Sequence, residues 1–594
     1  MKVGQHYLVL VSILLTGMAL RFWNLDAKPI WLDEVMTALF SLGRSYNDVP
    51  LESLFSLTQL DQLFALQPQT TCAQIATTVS EQSVHPPLFF CWLHRWLVWI
   101  DGLSTSWLWK LRAFPALIGV MVIAAMYALN TTLFFPRAGL LGAAVMAVSP
   151  FAVYLSQEAR HYTLPMLLVI LALLGLYQLH LDLLHRQFRP LVWLGWIAVN
   201  SLGFYVHYFF LLAVVAQVGT LILYGLGQPP LQLSLKRSLG NADRPPPFKR
   251  RMHSWFTRLP VIAPPGSPLT RYQWTAIALA TTGIGLTYVP WLPTLFQHSD
   301  RPETHWINFS ESLIERLTAL VQLPLGWIPM VIALPVERQP LEMTIFTSAI
   351  MVLFVLWLAR YASGKLKRLW QLPETGLATW MLLTFISLVL LEFVVIVMVL
   401  GKDITQVPRY HFIYFPAVCA LLGACLSGAT RHDRQTIVTM LVVGILSSSL
   451  VVTNLTFQKP YSPELVAEHM SLVPPIPRLI SVGYSNYQDV ALGLSIANTL
   501  HDRTTRQTNA PSNDSLIFLS RSQTYRHVWQ ELSRLSPPVP FPFDLWVVGR
   551  GMKRKGYPPA LTLPDRDTVA KPCFRDEAHY YRQGVPYQLY RCLP

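Results

Sequence analysis

Charge is what this 594-residue sequence has least of. Asp, Glu, Lys and Arg make up 13% of it, about half the share in an ordinary soluble domain. With 52% hydrophobic residues and a mean hydropathy of +0.38, that scarcity excludes an ordinary soluble protein and leaves a polytopic membrane protein as the class. Nucleotide-binding glycine loops of the Walker or dinucleotide type are also missing, which argues against ATP-driven transport and against a soluble nucleotide-sugar enzyme. Cysteine is sparse. Six residues between Cys72 and Cys592 lack paired metal-ligand spacing and announce neither a zinc site nor a disulfide framework. Acidic residues are outnumbered 32 to 46, giving a net charge of +14. The basic residues gather beside apolar runs, where they meet anionic headgroups and set topology, so no nucleic-acid partner is expected.

What is present in quantity is long apolar runs. A helix crossing the hydrocarbon core needs about 20 mostly apolar residues, because it must satisfy its own backbone hydrogen bonds there. Segments 7–23, 112–135, 138–155, 162–184, 191–207, 209–227, 274–295, 341–359, 376–400, 411–428 and 437–452 qualify. They predict an α-helical polytopic protein with about eleven transmembrane helices. The first run ends in Arg21 and aromatics, not a small-residue cleavage site, and reads as a retained span. Segment 86–100 is short, opens on two prolines and carries His94 and Arg95 centrally, so it reads as an interfacial helix.

That choice places the basic stretches at Arg137, 185–189, 228–272, 360–368 and 431–434 on the cytoplasmic side, as the positive-inside rule requires. The outer face then receives 24–110, 156–161, the turn at His207, 297–340, 402–410 and everything after Asn454. Loop 228–272 is Pro-rich and basic and reads as disordered. Residues 1–453 form the expected membrane domain, with 24–110 as a long first outer loop. Residues 454–594 hold strand-length runs at 479–482, 516–519 and 545–548 between helix-like stretches at 490–500 and 525–535, and predict a small extracytoplasmic α/β domain. An oxidising compartment would allow Cys573 and Cys592 to pair; two free thiols are the other reading.

Four outer-face motifs can carry chemistry. Asp33 and Glu34 follow the first span among tryptophans; they are either a solvated acidic pair or a partly buried general base and its neighbour. His85, before Pro86 and Pro87, is either a helix cap or a hydrogen-bond donor to a phosphate. In the short turn Ser156, Gln157, Glu158, Ala159, Arg160, His161, Tyr162, either Glu158 pairs with Arg160 or Arg160 grips an anionic headgroup while Glu158 orients a partner. Pro408, Arg409 and Tyr410 stand at the outer entry to a span, where Arg409 either snorkels or meets a lipid phosphate bidentately. His207, between Tyr205 and Tyr208, is either cavity lining or part of an aromatic belt.

In order and topology, the acidic pair, the His-Pro-Pro helix start, the Ser-Gln-Glu-Ala-Arg-His-Tyr turn and the late Pro-Arg-Tyr resemble the dolichyl-phosphate-mannose protein mannosyltransferase and aminoarabinose transferase superfamily, family-39-like glycosyltransferases of the GT-C type. The resemblance covers about residues 1–452 and leaves out the C-terminal domain. It implies an inverting sugar transfer from a polyprenyl-phosphate donor on the extracytoplasmic face of the plasma (inner) membrane. Asp33 would be the base and Glu34 its neighbour; His85, Glu158 and Arg160 would line the donor site, and Arg409 and Tyr410 would meet the lipid phosphate. It implies no cofactor, with divalent metal left open, and a protein, lipid or glycan acceptor. A polytopic transporter or lipid flippase is the alternative; it predicts paired repeats and midplane charges, whereas these motifs cluster on one face.

Overall fold

The computed structural model describes residues 3–227, 269–299, 301–308, 312–471, 476–508, 513–521, 524–535, 540–564 and 570–593. The chain divides into two compact units. The first comprises Met1–Leu25, Arg112–Gln297 and Trp306–Phe457; the second comprises Asp26–Leu111, His298–His305 and Gln458–Pro594. The first outer loop therefore groups with the C-terminal segment, not with the membrane domain to which the sequence reading gave it. Most of the basic loop 228–272 lies outside the described residues.

In the first unit, seven helices among the described residues are long and apolar enough to cross a membrane, including Val3–Phe22, Trp107–Leu133, Thr163–His185 and Gly376–Met398. A pair bent by 61°, Pro136–Val148 and Pro150–Ser156, and the shorter apolar helices Pro190–Val206, Phe210–Leu226 and Phe415–Cys425 fall on the remaining expected segments. The bend is chemical in origin. Pro150 has no N–H to continue the first helix, and Ser149 instead caps the second by accepting from the Ala152 N–H. Breaking the helix exposes its last carbonyls, and the fully buried Arg21 takes two of them, donating to Ala147 O and Met146 O at 3.0 Å each. Nearby, Gly142 and Gly423 let the helices Pro136–Val148 and Phe415–Cys425 meet backbone to backbone: a Cβ on Gly423 would lie 2.5 Å from the Gly142 Cα. Asn130 closes this contact by donating to both Ala138 O and Ala420 O.

The second unit is built on a seven-stranded sheet of order β1-β3-β2-β4-β7-β6-β5. Its strands are β1 (Phe55–Ser56), β2 (Arg478–Tyr484), β3 (Ser515–Ser520), β4 (Phe543–Val548), β5 (Ala560–Pro564), β6 (Ala570–Arg582) and β7 (Pro586–Cys592). Strands β3, β2 and β4 are parallel and buried on both faces, as continuous apolar runs demand. Leu479, Ile517, Leu545 and Val547 pack with Val528 and Leu532 of the helix Tyr525–Arg534. The alternate residues Val482 and Phe518 meet the helix Tyr487–Thr508, close against Gly493. The first outer loop supplies β1 to this sheet and lays the helix Leu32–Ser41 on Tyr487–Thr508.

The expected interfacial segment is the 12-residue helix Leu88–Trp99, about 18 Å long and too short to span. It buries Phe89, Phe90, Leu93 and Leu97 and is fastened to the helix Cys72–Gln82 by a Cys72–Cys91 disulfide. The cysteine spacing does not announce that bond. Cys573 and Cys592, neighbours on β6 and β7, are also bonded. Cys419 and Cys425 are buried thiols.

Candidate functional site

The bend at Pro150 sends a seven-residue helix into the turn 156–161, and this turn is not a surface feature. Ser156, Gln157, Glu158, Arg160 and His161 are all buried. Gln157 fixes its start by donating to Leu20 O and Trp23 O at the end of the first membrane helix. The turn then closes tightly, with the Arg160 N–H on Glu158 O at 2.7 Å.

Around Tyr162, three distant stretches of sequence converge within the first unit. The Arg160 guanidinium lies 5.9 Å from the centre of the Tyr162 ring, and that of Arg409 lies 5.7 Å from it. The His207 ring packs at a tilt 4.6 Å from His161 and 5.0 Å from Phe412, and Tyr410 packs edge-on to Phe209 at 4.7 Å. Arg409 and Tyr410 are half-buried in a short 3-10 turn, Pro408–Ile413. Burial, and then the charges of Arg160 and Arg409, pull the His207 imidazole down to about 3. It is therefore neutral at physiological pH. Its Nδ1 accepts from the Phe209 N–H at 3.0 Å, which leaves the proton on Nε2. Two cations beside one aromatic ring, with a neutral imidazole donor, suit an anionic group with several acceptor oxygens.

The acidic pair lies in the second unit. Asp33 and Glu34 occupy the first turn of the helix Leu32–Ser41, where carboxylates complement the helix dipole. Glu34 is fully buried, its carboxylate 3.5 Å from the Trp31 N–H, while Asp33 is half-buried. The C-terminal segment holds this turn in place. The Leu32 N–H donates to the Tyr461 hydroxyl at 2.6 Å, that hydroxyl donates to Ser495 Oγ at 3.1 Å, and Ser495 donates to Ile30 O at 2.6 Å. Lys459 rests 4.0 Å above the Trp31 ring. Burial, with Asp33 and Glu34 adding to it, raises the Tyr461 hydroxyl above its ordinary value and keeps it protonated. His85 is half-buried two residues ahead of Pro87, the N-cap of Leu88–Trp99, with its Nδ1 3.1 Å from Ser83 Oγ.

Of the expected residues, Arg160, His207, Arg409 and Tyr410 thus gather in the first unit beside Glu158, and Asp33, Glu34 and His85 belong to the second. The sequence reading passed over Tyr162, His161 and Phe412 as members of the cluster. Their signal was the aromatic and imidazole spacing on either side of the two arginines. Tyr461 and Ser495 carried no signal at all.

Residues 84–239 match the sequence profile of the dolichyl-phosphate-mannose-protein mannosyltransferase family. That match takes in 156 of the 594 residues. The matched stretch takes in His85, Glu158, Arg160 and His207 and leaves Asp33, Arg409 and Tyr410 outside it. Among solved structures, the chain is similar to ArnT from Cupriavidus metallidurans bound to undecaprenyl phosphate, at 12% identity and a TM-score of 0.47 over 99% of this chain and 98% of that one. It is also similar to the Archaeoglobus fulgidus oligosaccharyltransferase in the apo form, at 13% identity and a TM-score of 0.42 over 84% of this chain and 64% of that one. The same archaeal enzyme in complex with an inhibitory peptide and a dolichol-phosphate gives 13% identity and a TM-score of 0.39 over the same shares. No curated protein matches the sequence. The family match does not favour a transporter or flippase.

Proposed function

We propose that this membrane glycosyltransferase moves a sugar from a polyprenyl-phosphate donor to an acceptor hydroxyl with inversion, using Asp33 as general base. The observation that carries the donor half is the approach of both Arg160 and Arg409 to the Tyr162 ring, at 5.9 and 5.7 Å from its centre. An oxyanion can accept charge-assisted hydrogen bonds from guanidiniums of this kind. In the reaction, the base takes the acceptor proton and the acceptor oxygen attacks the anomeric carbon. The bond from that carbon to the phosphate oxygen breaks, and its electron pair leaves with the polyprenyl phosphate. Arg160 and Arg409 stabilise the charge that develops there, Tyr410 sits at headgroup level, and His207 offers a neutral donor. Glu158 orients the turn, Glu34 shapes the acceptor side with Asp33, and His85 contributes to donor binding. No nucleotide and no metal enters these steps.

The loop bearing Asp33 and the C-terminal sheet each carry a disulfide, which supports an extracytoplasmic location for that unit and an inner-membrane setting for the chain. The solved structures of ArnT bound to undecaprenyl phosphate and of the archaeal oligosaccharyltransferase with a dolichol-phosphate are consistent with a carrier of this class. Incubating purified protein in detergent with a panel of polyprenyl-phosphate sugars tests the reading. Consumption of a donor, blocked by Arg409→Ala, is expected; a panel left untouched in the presence of membrane-extract acceptors would overturn it.

A further inference from the structure

The parallel strands end at an edge that the transfer reaction does not use. From β2 the chain runs through Tyr487–Thr508 to β3 on one side; from β3 it returns through Tyr525–Arg534, past β2, to β4 on the other. The carboxyl ends of β2 and β4 are thus the place where the winding changes direction, and open parallel sheets hold ligands in the crevice beyond such a point.

Asp489, in the first turn of the helix after β2, is 1% exposed there. It accepts from Ser485 N at 2.9 Å and Ser485 Oγ at 3.0 Å. It also accepts from Arg521 Nη2 at 2.8 Å, just beyond β3, and from Arg550 Nη1 at 3.0 Å, just beyond β4. One buried carboxylate thus positions two guanidiniums, and these three groups together carry one positive charge before Glu52 is counted. Each guanidinium has five N–H donors, and Asp489 engages a single nitrogen of each. Arg521 Nε has no hydrogen-bond partner among the described residues, and the Arg550 side chain is 45% exposed. Tyr525 braces both, its ring 5.6 Å from the Arg521 guanidinium and its hydroxyl donating to Arg550 O at 2.9 Å. Gly551, at φ +79°, leaves open space beside the Arg550 loop. The carboxylate facing this edge from the first loop is Glu52, which accepts from the Tyr484 hydroxyl at 3.3 Å.

We propose that this edge binds the oxyanion of a phosphorylated or carboxylated sugar through Arg550 and Arg521, with Asp489 as the positioning residue. The site lies in the second unit; its choice of a sugar rests on the transferase reading, whereas its binding of an oxyanion does not. Calorimetric titration of the full-length protein in nonionic detergent, with no lipid donor present, tests it. The probes are glucose 6-phosphate, glucuronate, inorganic phosphate and, as the neutral control, glucose. Saturable binding of glucose 6-phosphate or glucuronate, and none of glucose, is expected. Arg550→Gln should weaken it at least about tenfold, since a charge-assisted contact is lost. Arg550→Lys, which keeps the charge and the fold but loses the planar fork, should fall between. Arg534→Gln, on the exposed far end of Tyr525–Arg534, should leave it unchanged. Tighter binding of glucose 6-phosphate than of inorganic phosphate assigns the site to sugars, and equal binding narrows it to the oxyanion alone. Absence of anion binding, or binding that Arg550→Gln does not weaken, overturns the proposal.

Discussion

The hydroxyl of Tyr461 accepts the backbone N–H of Leu32 at 2.6 Å, joining residues 429 positions apart. The turn that presents Asp33 is therefore set by the C-terminal segment as much as by its own sequence. Tyr461→Phe keeps the ring and removes the acceptor, leaving the Leu32 N–H and Ser495 without their partner. A loss of about 1–3 kcal/mol in stability is expected, with a drop in kcat larger than any change in donor KM. Thermal melts and steady-state kinetics on the same preparation read both.

Removing the charge of Asp33 in Asp33→Asn, a nearly isosteric change, should lower kcat by about 10²–10⁴-fold, the usual worth of a positioned base. Donor affinity and melting temperature should stay near wild type. Normal turnover would return Asp33 to an acidic surface pair.

Arg409→Ala should weaken donor binding by about tenfold to a hundredfold, and Arg409→Lys should recover only part of it, because an ammonium lacks the planar fork. Equilibrium binding of a polyprenyl phosphate measures this directly. An unchanged affinity would leave Arg409 as a snorkelling side chain.

How much of this was legible beforehand differs by element. The eleven apolar segments, the short helix Leu88–Trp99 and the strands β2, β3 and β4 follow from run length and composition, and the helices and strands fall there. The cluster on Tyr162 was half legible: Arg160, His207, Arg409 and Tyr410 were each conspicuous as polar groups at span ends, but their convergence depends on how membrane helices pack. The antiparallel strands β5–β7 and the little strand β1 mix charged and aromatic residues without a continuous apolar run, so periodicity does not mark them. The partnership of Tyr461 and Ser495 with residues 30–32 is a long-range hydrogen-bond network, and nothing local in the sequence encodes it.

His207 links the site to pH. Its folded-state value is depressed to about 3 from an unfolded value near 6.5, so the unfolded chain binds more protons between these limits. Its contribution to stability is complete above about pH 6.5 and is lost as pH falls toward 3. His207→Gln should flatten the acid limb of a melting-temperature-against-pH curve, and Arg409→Ala should flatten it in part, because a less depressed folded-state value narrows the gap to the unfolded one. Differential scanning fluorimetry across this window checks both signs.

The two disulfides make a prediction about compartment and thiol reactivity. Peptide mapping of the unreduced protein should find Cys72 joined to Cys91 and Cys573 joined to Cys592, with Cys419 and Cys425 alkylated only after denaturation. Replacing Cys573 with Ser should cost about 2–4 kcal/mol. Quantitative labelling of all six thiols in the folded protein would contradict the pairing.

The central claim is sugar transfer from a lipid phosphate by way of Asp33. It is tested most directly by following a radiolabelled polyprenyl-phosphate sugar with purified protein, membrane-extract acceptor and excess EDTA. The account predicts release of polyprenyl phosphate matched by a glycosylated product of inverted anomeric configuration, with Asp33→Asn inactive. A donor that is never consumed, or one consumed equally well by Asp33→Asn, would contradict it.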